Sequence, residues 1–168
     1  MKLTKKQEKT IETVFEVLNS CIHLWKKGFD DRLITRIFYV AVINIHSGYS
    51  SPNAMSGEWE TTEDHVFTPQ FIARYLLDNA NKYLNDFVLF RELFIWSSTV
   101  ITVTKVENNL LKGQTKNKDD VFSITCLMNE KYKKVGIDKL YKESVGYVEG
   151  FPLEIWPGIL EYEKQYLV

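Results

Sequence analysis

Cysteine is scarce in this 168-residue chain, and its two copies, Cys21 and Cys126, stand in apolar surroundings at no metal-type spacing. That excludes a disulfide framework and a cysteine-ligated zinc site, and leaves both as small core residues. An excess of charge of one sign is also lacking: 21 basic side chains face 22 acidic ones, and a net charge of -1 exerts no global pull on nucleic acid. A local pull remains open, because Lys105, Lys112, Lys116 and Lys118 cluster with only Glu107 among them. No apolar run is long enough to span a bilayer, and Lys2-Leu3-Thr4-Lys5-Lys6-Gln7-Glu8 lacks the apolar centre of a signal peptide. The expectation is a cytoplasmic protein with no membrane partner. Internal repeats and low-complexity segments are absent too. What is present is 45% hydrophobic residues, enough for a single domain over 1–168 with a proper core and too little chain to expect two.

Along the chain, Ile11, Val14, Phe15, Leu18, Ile22 and Trp25 recur at helical steps and predict an amphipathic helix over 4–26. Residues 33–46 are apolar nearly all round and read as a buried helix on length, with a strand as the other option around Phe38–Val42. The turn-forming residues of 48–57 predict a loop. A β-prone stretch from Trp59 predicts a strand ending at His65. Thr68 and Pro69 fit an N-cap and first helical position for a helix to about Tyr83. A buried helix is expected over 86–96, a strand over 97–103, and a helix from the Thr104 cap to about Gln114. After a polar break at 115–120, Asp120 can cap a helix to about Lys134, with Gly136 as its stop. The tail breaks into short pieces, and its aromatics Tyr141, Tyr147, Phe151, Trp156, Tyr162 and Tyr166 read as core packing before base clamping.

Two stretches carry chemistry. Asp64 and His65 set a hard oxygen ligand beside a side chain that exchanges a proton near neutral pH, which suits metal-assisted hydrolysis. Thr104 and Glu107, three residues apart, form a capping box at a helix start, with Asn108 in the first turn as a neutral oxygen ligand. If the stretches meet, a strand end faces a helix start, with Asp, His and Asn aimed at a common point. His23 and His46 read as helix-surface or core histidines.

Asp64-His65-Val66 with Pro69 and Gln70 beyond, followed by Val103-Thr104-Lys105-Val106-Glu107-Asn108, resembles the HNH branch of the His-Me finger nucleases, the ββα-metal fold. The resemblance covers 58–114, about a third of the chain. It implies a predominantly helical α+β fold in which a ββα-metal core carries a helical insertion and flanking helices. It also implies a divalent-metal-dependent DNA endonuclease of restriction, homing or phage type that leaves a 5′-phosphate and a 3′-hydroxyl. By resemblance His65 is the general base, and Asp64 binds one divalent cation, Mg2+ or another such as Mn2+. Asn108 completes the ligands on the spacing of intron-encoded members, Asn109 on that of the CRISPR effectors. Lys105, Lys112 and Lys116 are candidates for phosphate contacts, as is Arg74, about one helical turn beyond Gln70. Cutting both strands at one site would favour a homodimer.

The rival in another class is a non-catalytic interaction protein of a phage or defence system. It predicts that Asp64 and His65 are salt-bridged or capped, with no open cleft between them and Asn108. A restriction nuclease of the Asp/Glu-x-Lys kind ranks lower, since no such element follows an acidic residue at a strand end.

Overall fold

The computed structural model describes residues 2–41, 43–113, 128–149 and 154–164. In chain order these form α1 (Lys5–Lys26), α2 (Asp31–Val40), β1 (Ile45–Ser50), α3 (Pro52–Met55), β2 (Thr61–His65), α4 (Pro69–Asp78) and α5 (Ala80–Tyr83). There follow α6 (Phe87–Ser97), β3 (Thr99–Thr104), α7 (Lys105–Gly113), α8 (Met128–Lys133), β4 (Lys139–Lys142), β5 (Gly146–Glu149) and α9 (Ile159–Lys164). They fall into two compact units interleaved in sequence, one from the chain up to Ile45 with Thr68–Ser98, the other from His46–Phe67 with the chain from Thr99 onward.

The first unit is helical. Its α1 begins at a capping box in which the Gln7 amide donates to Thr4 Oγ1 at 3.2 Å and the Thr4 amide to Gln7 Oε1 at 2.9 Å. The predicted stripe is then buried at Ile11, Val14 and Leu18. Phe38, Phe71, Phe90 and Phe94 fill the core, with the Phe94 ring 5.1 Å from Phe38 and 5.7 Å from Phe90. The helix predicted over 69–83 is two helices. Asn79 interrupts it, donating from Nδ2 to the Tyr75 carbonyl at 2.9 Å, so the side chain competes for helix hydrogen bonding. Thr68 occupies the N-cap position, and Pro69 the first turn, without a side-chain capping bond.

The second unit carries a mixed, open five-stranded sheet in the order β2-β3-β1-β4-β5, to which β1 belongs but for its first residue. β2 lies antiparallel to β3, β1 to β4, and β4 to β5. Val66, Phe67, Val100, Ile101, Val103, Leu111, Ile137 and Leu140 are buried here. The fold is thus α+β, and β2 and β3 pair directly although 33 residues separate them, so the helical insertion does return the chain to the same ribbon.

Two more expectations fail. The helix read over 33–46 stops at Val40, and 45–50, whose end was read as loop, is strand β1. From Ile43 to Gly48 more and less buried residues alternate, the period of a strand, and Gly48 sits at φ +78, where a side chain is strained, with Lys142 Cε 3.4 Å from where a Cβ would lie. His46 is accordingly an exposed strand residue, not a helix end, with Nε2 3.1 Å from Glu63 Oε1. The tail also holds a hairpin, β4–β5, with Tyr141 opposite Tyr147 and their rings 5.2 Å apart. Tyr162 is buried as core, whereas Tyr147 is exposed; Phe151, Tyr166, Cys126 and the start of the helix expected from Asp120 lie outside the described residues.

Candidate active site at the β2–β3 ribbon

Asp64, His65, Thr104 and Asn108 all lie in the second unit, and register decides how they are spaced. Thr61 stands opposite Thr104, Asp64 opposite Ile101 and His65 opposite Val100. The Asp64-His65 end of β2 is therefore beside the start of β3, whereas α7 leaves from the other end, beside Thr61. This differs from the expected strand end facing a helix start. Three residues of strand, about 10 Å, separate the two positions along the ribbon, and α7 packs on both β2 and β3.

Glu107 fixes the start of α7. The Thr104 amide donates to Glu107 Oε2 at 2.8 Å while the Glu107 amide donates to Thr104 Oγ1 at 3.1 Å, the reciprocal box that the spacing predicts. The same carboxylate, in a residue only 4% exposed, accepts from Ser51 Oγ at 2.6 Å and Asn53 Nδ2 at 3.0 Å, tying α7 to the start of α3. Asn108 follows, buried in the first turn, and Asn109 is exposed.

Asp64 is held by two residues of α8. Lys131 Nζ donates to Asp64 Oδ2 at 2.6 Å and to the His65 carbonyl at 2.7 Å, and Tyr132 Oη donates to the same Oδ2 at 2.6 Å. The Lys131 and Asp64 side chains are 13% and 12% exposed, so this pair has been taken out of water and its hydrogen bonds offset the desolvation. Burial, and then the charge and hydrogen bond of Asp64, push the Tyr132 phenol well above the ordinary tyrosine range, so it acts as a neutral donor. Lys131 and Tyr132 are set in place by the end of α8. The Gly136 amide donates to the Lys133 carbonyl and the Ile137 amide to the Tyr132 carbonyl, a Schellman motif with Gly136 at φ +80 and Ile137 and Tyr132 both buried.

Alternation along a strand turns His65 to the face opposite Asp64, and His65 Nε2 is buried. Lys105 is exposed and its Nζ lies 2.7 Å from Glu60 Oε2, whose carboxyl it holds below the ordinary range, mainly by that hydrogen bond. Lys112 is exposed in the last turn of α7. Lys116 lies outside the described residues, and Arg74 belongs to the first unit, where its guanidinium stands 5.5 Å from the centre of the Trp25 ring. The residues that sequence reading missed are Lys131 and Tyr132. A lysine and a tyrosine in a short helix carry no sign of a partner 67 or 68 positions earlier.

Among the described residues no three or more His, Cys, Asp and Glu side chains gather as a metal site. Two oxygens do converge on one positive charge: Asp64 Oδ2 and the His65 carbonyl on the Lys131 ammonium. A carboxylate and a carbonyl are the donor types that a hard divalent cation takes, with water completing its shell, so the position fits such an ion. No family model, no curated protein and no solved structure matches the chain.

Proposed function

We propose that this chain is a divalent-metal-dependent DNA endonuclease of the HNH type, built on β2, β3 and α7 as its ββα-metal core. The observation that supports the reading is the cation position at the end of β2, where the oxygens of Asp64 and His65 meet a partly buried positive charge. A bound Mg2+ or Mn2+ would supply charge neutralisation at the phosphate and at the leaving oxygen. Asp64 would hold that ion through its carboxylate, and Asn108 or Asn109 would be the second side-chain ligand if α7, which starts about 10 Å along the ribbon, reaches it. His65, which alternation sets on the face opposite Asp64, takes the proton of the attacking water through its imidazole once the end of β2 turns both residues to one phosphate. Its ring must be uncovered to do so, because Nε2 is buried. Lys105 and Lys112 contact backbone phosphates, and a homodimer supplies the second site where both strands are cut.

One observation favours a second reading, the non-catalytic interaction protein: Asp64 is already salt-bridged and hydrogen-bonded. Nicking of supercoiled plasmid with and without Mg2+ separates the two, comparing the wild type with His65→Ala at matched circular dichroism. Metal-dependent cleavage that disappears in His65→Ala is expected. A folded wild type that cuts no DNA with any of several divalent metals would sink the nuclease and favour the interaction protein.

A further inference from the structure

We propose that Lys131 is the resident occupant of the cation position at the end of β2, and that a divalent cation reaches Asp64 only by displacing its ammonium. The inference rests on the metal-dependent reading for its choice of ion and on the geometry for everything else. Nζ bonds two oxygens of adjacent residues, the Asp64 carboxylate and the His65 carbonyl, at 2.6 and 2.7 Å. With Lys131 only 13% and Asp64 12% exposed, water is poorly placed to screen a second positive charge brought to the same carboxylate. A divalent ion and the ammonium therefore exclude one another. Tyr132 is different, because a hydroxyl carries no positive charge to be repelled and can keep its bond to Oδ2 when the cations exchange. Asp64 is thus kept paired when no metal is bound, which avoids an uncompensated, partly buried carboxylate. Lys131 is a positioning residue in this scheme, and metal affinity is set by the competition.

The test uses the full chain and Mn2+, with free ion counted by its electron paramagnetic resonance signal. Lys131→Met keeps the aliphatic stem and removes the charge, and should bind Mn2+ about tenfold tighter than wild type. Asp64→Asn, alone or with Lys131→Met, should abolish that binding. Equal or weaker binding by Lys131→Met, or no Mn2+ binding by either protein, overturns the proposal. A measurement on the wild type alone stands in if the variant does not fold. Amine labelling of Lys131, read by mass spectrometry, should rise when Mn2+ is added, and unchanged labelling under saturating Mn2+ overturns the displacement. If Lys131→Met binds tighter through Asp64 while no variant cuts plasmid, the competition stands and the nuclease reading falls.

Discussion

Replacing Glu107 by alanine strikes the point where α7 is joined to the ribbon. The carboxylate accepts three hydrogen bonds, from the Thr104 amide at 2.8 Å, Ser51 Oγ at 2.6 Å and Asn53 Nδ2 at 3.0 Å. Hydrogen bonds to a charged group contribute about 1.5–3 kcal/mol each, and a helix cap about 1 kcal/mol. The three are not additive, since water entering the vacated space recovers part of the loss for the donors nearest the surface. The residue is only 4% exposed, however, so recovery is incomplete. The expected cost of Glu107→Ala is on the order of 3–5 kcal/mol, which for a chain of this size lowers the melting temperature by about 10 °C. Glu107→Gln keeps the shape and one carbonyl acceptor, and should lose roughly half as much. Urea unfolding followed by circular dichroism measures both. A loss under about 1 kcal/mol for Glu107→Ala would refute the view that this carboxylate anchors α7.

Other consequences are equally open to measurement. Phe94→Ala removes a fully buried ring packed on Phe38 and Phe90, and should cost about 3–5 kcal/mol in the same unfolding assay. Gly136→Ala meets no heavy atom within 4 Å of the new Cβ, so it carries only the backbone strain of φ +80, about 1 kcal/mol. The Glu8 carboxyl is held below its ordinary range, chiefly by the hydrogen bond from Arg91. A depressed carboxyl stabilises the fold above its unfolded pKa and loses that contribution as pH falls through the folded value. The urea midpoint of Glu8→Gln should therefore lie below wild type at neutral pH and converge with it in acid; a gap that persists once Glu8 is protonated would contradict this.

How much of this was legible in the sequence follows from the range of the interactions. The capping box of Thr104 with Glu107 joins residues three apart, so spacing alone reveals it; that of Thr4 with Gln7 has the same range but was not read from the sequence. The stripe of α1, the proline that opens α4 and the glycine that ends α8 are local in the same sense. The order strand, helical insertion, strand, helix was likewise readable, because each period persists over several residues. Strand β1 was not. Gly48-Tyr49-Ser50 has turn composition, and it becomes strand because β3 and β4 lie on either side and satisfy its backbone. The second life of Glu107, as acceptor for Ser51 and Asn53, depends on the sheet bringing α3 and α7 together.

The candidate site divides along the same line. The sequence by itself determined which groups are adjacent on the chain: a carboxylate beside an imidazole at the end of β2, and a capped helix opening with Asn108. Only the tertiary structure decided their company. Antiparallel register set Asp64 beside Ile101 rather than beside the start of α7, and the packing of α8 brought Lys131 and Tyr132 onto Asp64. The physical reason is that propensity and capping act within a turn or two of chain, whereas partners for a partly buried charge are chosen by whatever the folded backbone places within hydrogen-bonding distance.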